Sequence, residues 1–194
     1  VIQDAGGRMK PAHTFASQLV RKVSRQETFK KMSPSQVLIS ILENPKFWFE
    51  VPMIYLERGN TEIREIIGIS PTATHARLSD FLTNKGVYKI KDEVIEAQKK
   101  NIKNKFEKDL IKIDQRVGLL YRAIGGAIFK IFPIPNDLNN KWVSQPETSQ
   151  ANFKGTDSVF VRQVLPVYIQ MLQKAKETKD YTQVDKVLNG IKNY

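Results

Sequence analysis

Two stretches hold the side chains whose types and spacing could do chemistry. Near the N terminus, Arg8, Lys10 and His13 follow the glycine pair Gly6-Gly7 and bracket Pro11. A guanidinium suits bidentate pairing with a carboxylate, and an ammonium supplies a point charge. The arm can therefore grip a ligand carboxylate, or form ion pairs that lock it against the rest of the protein. The lock is the preferred use, because a rigid Gly/Pro arm leading into a helix has an architectural role of its own. The second stretch is IDQRV, where Arg116 has Asp114, or a carboxylate elsewhere, as a partner.

Other chemistry is scarce. The chain has no cysteine, which removes disulfides, thiolate catalysis and zinc-thiolate sites. Histidine occurs only as His13 and His75, and neither has a second donor at ligand spacing; the offset from His75 to Asp80 puts them on different helical faces. Both are read as structural, and no metal site is expected. Gly6-Gly7 lacks the Lys-Ser/Thr of a phosphate loop, and Gly125-Gly126 follows a helical pattern rather than a strand. With no Gly-x-Ser-x-Gly and no paired catalytic carboxylates, no catalytic residue is assigned and the chain itself is read as non-catalytic. Phe47, Trp48 and Phe49 are consecutive large rings that cannot all face one core, so they are candidate interface residues. Trp48 and Trp142 are read as core anchors.

These residues need a frame. Of the 194 residues, 41% are hydrophobic and 26% charged, which suits a folded domain rather than a disordered or membrane-spanning chain. No uncharged run approaches the roughly 20 residues of a membrane span. The net charge of +11 raises a nucleic-acid-binding helical domain as an alternative. However, the lysines of residues 89–112 alternate with Asp92, Glu93, Glu96, Glu107 and Asp109, the mixed-sign pattern of a solvated helix, which argues against nucleic acid. The opening at Val1, without Met or signal peptide, suggests a single domain, 1–194, excised from a longer protein.

The dominant pattern is residues 92–132. Ile95, Ile102, Phe106, Leu110, Ile113, Val117, Leu120, Ile124 and Ile128 recur at helical steps, predicting one long helix of about 60 Å. Around it, Thr14 offers an N-cap for a short amphipathic helix, and Ser33-Pro34-Ser35-Gln36 forms a capping box for another that Asn44-Pro45 stops. KFWFE adds a turn, residues 51–56 are extended, and TEIREIIGI is ambiguous. Ser70-Pro71 predicts a helix over TATHARLSDFL, residues 133–156 an ordered loop, and residues 157–178 and 180–192 closing helices, the first kinked at Pro166. The fold class is mainly α: an irregular helical domain around one long helix, with at most a minor short β pairing.

Particular words of the sequence go further. QDAGGRMKPAHTFASQLVRKVS resembles the Gly-Arg-x-Lys-Pro-x-x-Thr segment in the extracytoplasmic region of Bacteroidetes-type cytochrome c biogenesis proteins, the fused system II haem-delivery and synthase proteins of the CcsA/ResB kind. The matching positions are Gly7, Arg8, Lys10, Pro11 and Thr14. SPSQVLISILENPKFW, ARLSDF, IDQRV with Arg116, and FPIPNDLNNKW with Pro133, Pro135, Asn136, Asp137 and Trp142 resemble the same family in the same order. The resemblance implies a periplasmic domain held in a membrane protein that moves haem and attaches it to Cys-x-x-Cys-His motifs. Its implied partners are apocytochrome c or other assembly subunits, with the membrane reached through flanking helices and haem as the parent protein's cofactor. The family's tryptophan-rich haem motif has no counterpart here, and neither His13 nor His75 falls on a matching position.

Overall fold

A computed structural model describes all 194 residues. In chain order the elements are β1 (Ile2–Gln3), β2 (Met9–Lys10), α1 (Ala12–Ser24), α2 (Pro34–Glu43), α3 (Pro45–Phe49), β3 (Ile54–Tyr55), α4 (Thr61–Ile67), β4 (His75–Ala76), α5 (Lys91–Lys99), α6 (Lys105–Ile124), β5 (Phe132–Pro133), β6 (Trp142–Val143), α7 (Gly155–Thr178) and α8 (Thr182–Asn193). Single 3-10 turns lie at Ser79–Phe81 and Gln145–Glu147. The protein is mainly α, and its strands form only two-stranded antiparallel pairs. Two compact units result, one from His13–Ile124 and one from Val1–Ala12 with Gly125–Tyr194.

In the His13–Ile124 unit, local signals set the helix starts. Ser33 caps α2 reciprocally with Gln36, and Pro34 takes the first helical position. The αL residue Gly68 ends α4. α6 packs against α5, α2, α3 and β3 through Leu110, Ile113, Val117 and Leu120, all buried. Trp48 is fully buried, and its indole N–H donates to Ser40 Oγ at 3.0 Å, so the ring has a polar partner inside the core. Strands β3 and β4 pair Ile54 with Ala76 and Tyr55 with His75.

The predicted long helix is two helices. α5 ends at Lys99 and α6 begins at Lys105. Asn104 and Glu107 supply the reason: Asn104 Oδ1 accepts the Glu107 N–H at 2.9 Å, and Glu107 Oε2 accepts the Asn104 N–H at 2.8 Å. This reciprocal cap restarts the helix and resets its phase. Ile95 and Ile102 therefore fall outside, at 40% and 92% exposure, while Val94 and Ala97 are buried. At the other end α6 stops at Ile124, and Gly126 adopts φ 74°, so the apolar run to Phe132 is not helical.

Two further expectations are corrected. Ser70-Pro71 does not start a helix: the Ser70 hydroxyl accepts the Thr72 N–H at 3.3 Å, closing a local turn, and His75–Ala76 is drawn into β4. Thr14 is not an N-cap, since α1 begins at Ala12, directly after Pro11.

In the other unit, β1–β2 and β5–β6 are hairpins, the second lying within the predicted loop, and Gln3 bridges in antiparallel fashion to Lys130. Phe132, Val143, Phe153, Val161 and Val164 form the core, with Phe160 and Tyr194 stacked at 4.8 Å beside it. α7 runs unbroken through Pro166 and pairs with α8.

Candidate functional site

The N-terminal hairpin is built on Asp4. Its Oδ1 accepts the N–H groups of Gly6 and Arg8 at 2.8 and 3.0 Å, and its Oδ2 meets Lys10 Nζ at 2.7 Å. Gly7, at φ 79°, allows the tight turn between them. The Lys10 ammonium, together with the backbone donors, holds the Asp4 carboxyl down to about 2. Lys10 thus locks the arm, whereas Arg8 is exposed.

Gln3 ties this hairpin to the turn of the β5–β6 hairpin. Its Nε2 donates to the carbonyls of Asn140 at 2.9 Å and Gly7 at 3.3 Å, and its Oε1 accepts the Trp142 N–H at 2.8 Å. One buried amide therefore brings together the segments around GGRMKP and FPIPNDLNNKW. Within the second turn Asp137 Oδ1 accepts the N–H groups of Asn139 and Lys141 at 2.9 and 3.0 Å, and Asn136 and Asn140 take φ values of 59° and 52°. Pro133 pairs with Trp142, which is half-buried, while Pro135 is exposed.

The other unit holds a polar network. Arg116, itself buried, forks onto Glu57 at 3.0 and 3.1 Å and donates to the Tyr55 carbonyl at 2.9 Å. Its guanidinium lies 5.3 Å from the Tyr55 ring centroid. Arg25 approaches the same carboxylate at 3.8 Å. Arg64 donates to the carbonyls of Ala73, Asn60 and Glu57, clamping the turn after β3. Glu57 and Arg64 were not singled out from sequence, because their partners lie on turns with no periodic signal.

Both histidine rings have polar neighbours within the protein. His75 Nε2 contacts the Ser24 carbonyl at 3.0 Å; a carbonyl only accepts, so that nitrogen carries the proton. Its Nδ1 faces Thr74 Oγ1 at 3.1 Å, and the ring meets Tyr55 edge-on. His13 is exposed, with Thr14 Oγ1 at 3.2 Å from its Nε2. No group of three His, Cys, Asp or Glu side chains converges to hold a metal ion. An apolar groove of about 690 Å³ along α7 and α8, lined by Val159, Phe160, Val164, Val167 and Val187, contains no histidine.

Charge and aromatic surfaces complete the picture. Lys99, Lys100 and Lys112 pair with Glu96, Glu107 and Asp109 along α5 and α6. Lys100 and the Asn104 N–H lower the Glu107 carboxyl. Phe47 is 56% exposed, set edge-on to buried Trp48 and with Lys30 Nζ 5.9 Å above it, while Phe49 is half-buried. No helix is long and apolar enough to cross a membrane.

No protein-family model matches the chain. It is 33% identical over 150 residues to protein NrfI of Wolinella succinogenes, a stretch covering 76% of this chain and 16% of NrfI. The chain thus spans a small part of a much longer relative.

Proposed function

We propose that this chain is a periplasmic domain of a cytochrome c assembly membrane protein of the fused system II type, and that its role is docking rather than catalysis. The observation that carries this reading is the 33% identity to NrfI over 150 residues, which supports a cytochrome c biogenesis role. The ordered sequence words between Gln3 and Trp142 point the same way. Haem movement and attachment then belong to other parts of a longer protein. That assignment agrees with His75, whose ring nitrogens already face a carbonyl and a hydroxyl.

Docking needs an anchor, and Phe47 offers one. Its exposed ring is fixed by α3 and braced by Trp48, so ordering it on binding costs little side-chain entropy. The partners proposed are apocytochrome c or other assembly subunits. A photo-crosslinking residue in place of Phe47 in the full-length membrane protein should yield adducts with apocytochrome or an assembly subunit. No adduct from Phe47, with haem attachment unchanged in Phe47→Ala, sinks the docking role. Protease added outside sealed spheroplasts should cleave this domain; protection would refute the periplasmic placement.

A further inference from the structure

The paired hairpin turns expose an unusual combination of side chains. Leu138 is fully exposed and Met9 is 41% exposed. Arg8, next to Met9, and Lys141, three residues after Leu138, are exposed, and Gln3 brings the Gly7 and Asn140 carbonyls onto one amide nitrogen. The turns are therefore neighbours, not separate protrusions. Asp4 is paired with Lys10, while Asp137 keeps its charge and accepts two backbone N–H groups through Oδ1. Across the two turns the cations Arg8, Lys10 and Lys141 outnumber the carboxylates Asp4 and Asp137, and the exposed apolar side chains Leu138 and Met9 lie among them.

We infer that this turn pair is a contact for an anionic lipid surface, with Leu138 and Met9 entering the interface while Arg8 and Lys141 meet the head groups. A protein partner would require a shape-matched surface of about 800 Å² per side. A single projecting leucine on a hydrogen-bonded turn offers no such area. A bilayer supplies an apolar medium without a matched pocket, and long basic side chains pair naturally with its anionic head groups. The turn is fixed beforehand by Asp137 and Gln3, so little ordering accompanies insertion. This contact stands apart from the cytochrome reading, and vesicle binding tests it without haem attachment.

The test is co-sedimentation of the full 194-residue chain with phosphatidylcholine vesicles with and without phosphatidylglycerol. Binding is expected only with the anionic lipid, and weaker as salt rises. Leu138→Ser should lower the partition coefficient about tenfold. Arg8→Gln and Lys141→Gln should each lower it about fivefold. Lys85→Gln, an equal charge change at an exposed site in the other unit, should leave it unchanged. Equal binding to neutral vesicles overturns the inference, as does an equal loss in Lys85→Gln, which would indicate net charge alone. Binding to an acidic peptide with no binding to anionic vesicles also overturns it.

Discussion

The Gln3 side-chain oxygen accepts the backbone N–H of Trp142 at 2.8 Å, joining the two chain segments of one unit. The same amide donates to Asn140 and Gly7, and Gln3 is only 7% exposed. Gln3→Ala leaves the part-buried Trp142 N–H and the carbonyls of exposed Asn140 and Gly7 without that partner, so we expect a loss of about 1–3 kcal/mol. Equilibrium denaturation measures it; a change below about 0.5 kcal/mol, the scatter of ordinary surface substitutions, would contradict the buried-clamp account.

Arg116 and Glu57 form the corresponding lock in the other unit, and the geometry is a fork rather than a point contact. Arg116→Ala should cost about 3–5 kcal/mol, because it strands a largely buried carboxylate. Arg116→Lys keeps the charge but loses the fork and the Tyr55 stack, so about 1–3 kcal/mol should disappear. Replacing both partners, Arg116→Met with Glu57→Leu, should cost less than Arg116→Met alone. Thermal unfolding of the natural chain, Arg116→Met, Glu57→Leu and the double variant provides the comparison, and additive losses would refute coupling.

Asp4 sets the acid response of the N-terminal arm. Its folded carboxyl is depressed to about 2 from an ordinary 3.8, chiefly by Lys10. A depressed carboxyl stabilises the fold above its unfolded value, and that contribution is lost as pH falls from about 4 to about 2. The Asp4 carboxyl resonance should titrate near the lower value, and Lys10→Met should raise its midpoint. A midpoint at the ordinary value in the unmodified chain would contradict the hairpin lock.

The sequence was most legible where the controlling interaction is local. Ser33 and Gln36 lie three residues apart, so their capping box was readable, as was the mainly helical class. Asn104 and Glu107 have the same spacing, but the apolar period running through Ile102 concealed them. Periodicity records which residues could share a face; it does not record where the backbone restarts. Arg116 was recognised as needing a carboxylate, yet Glu57 lies 59 residues away, on a turn positioned only by β3 and α4. His75 illustrates the converse: a local Ser-Pro signal predicted a helix, and pairing with Tyr55 in the fold overrode it. The site around Gln3 was visible as two family-like words, but nothing local revealed that one amide joins them.

Pro166 shows how a helix-breaking residue is accommodated inside α7. Proline has no N–H, so the carbonyl four residues earlier, that of Arg162, loses its helical donor. Gln145 replaces it, with Nε2 donating to the Arg162 oxygen at 2.6 Å. The two residues should therefore be energetically coupled. Gln145→Ala in the natural chain should cost about 0.5–1.5 kcal/mol, the worth of one hydrogen bond. In a Pro166→Ala background the restored helical N–H can serve Arg162, and the same Gln145 substitution should cost much less. Pro166→Ala alone should stabilise, by up to about 3 kcal/mol if the helix straightens without repacking. A double-mutant cycle by chemical denaturation reads the coupling directly; identical Gln145→Ala costs in both backgrounds would show that Gln145 does not substitute for the missing donor.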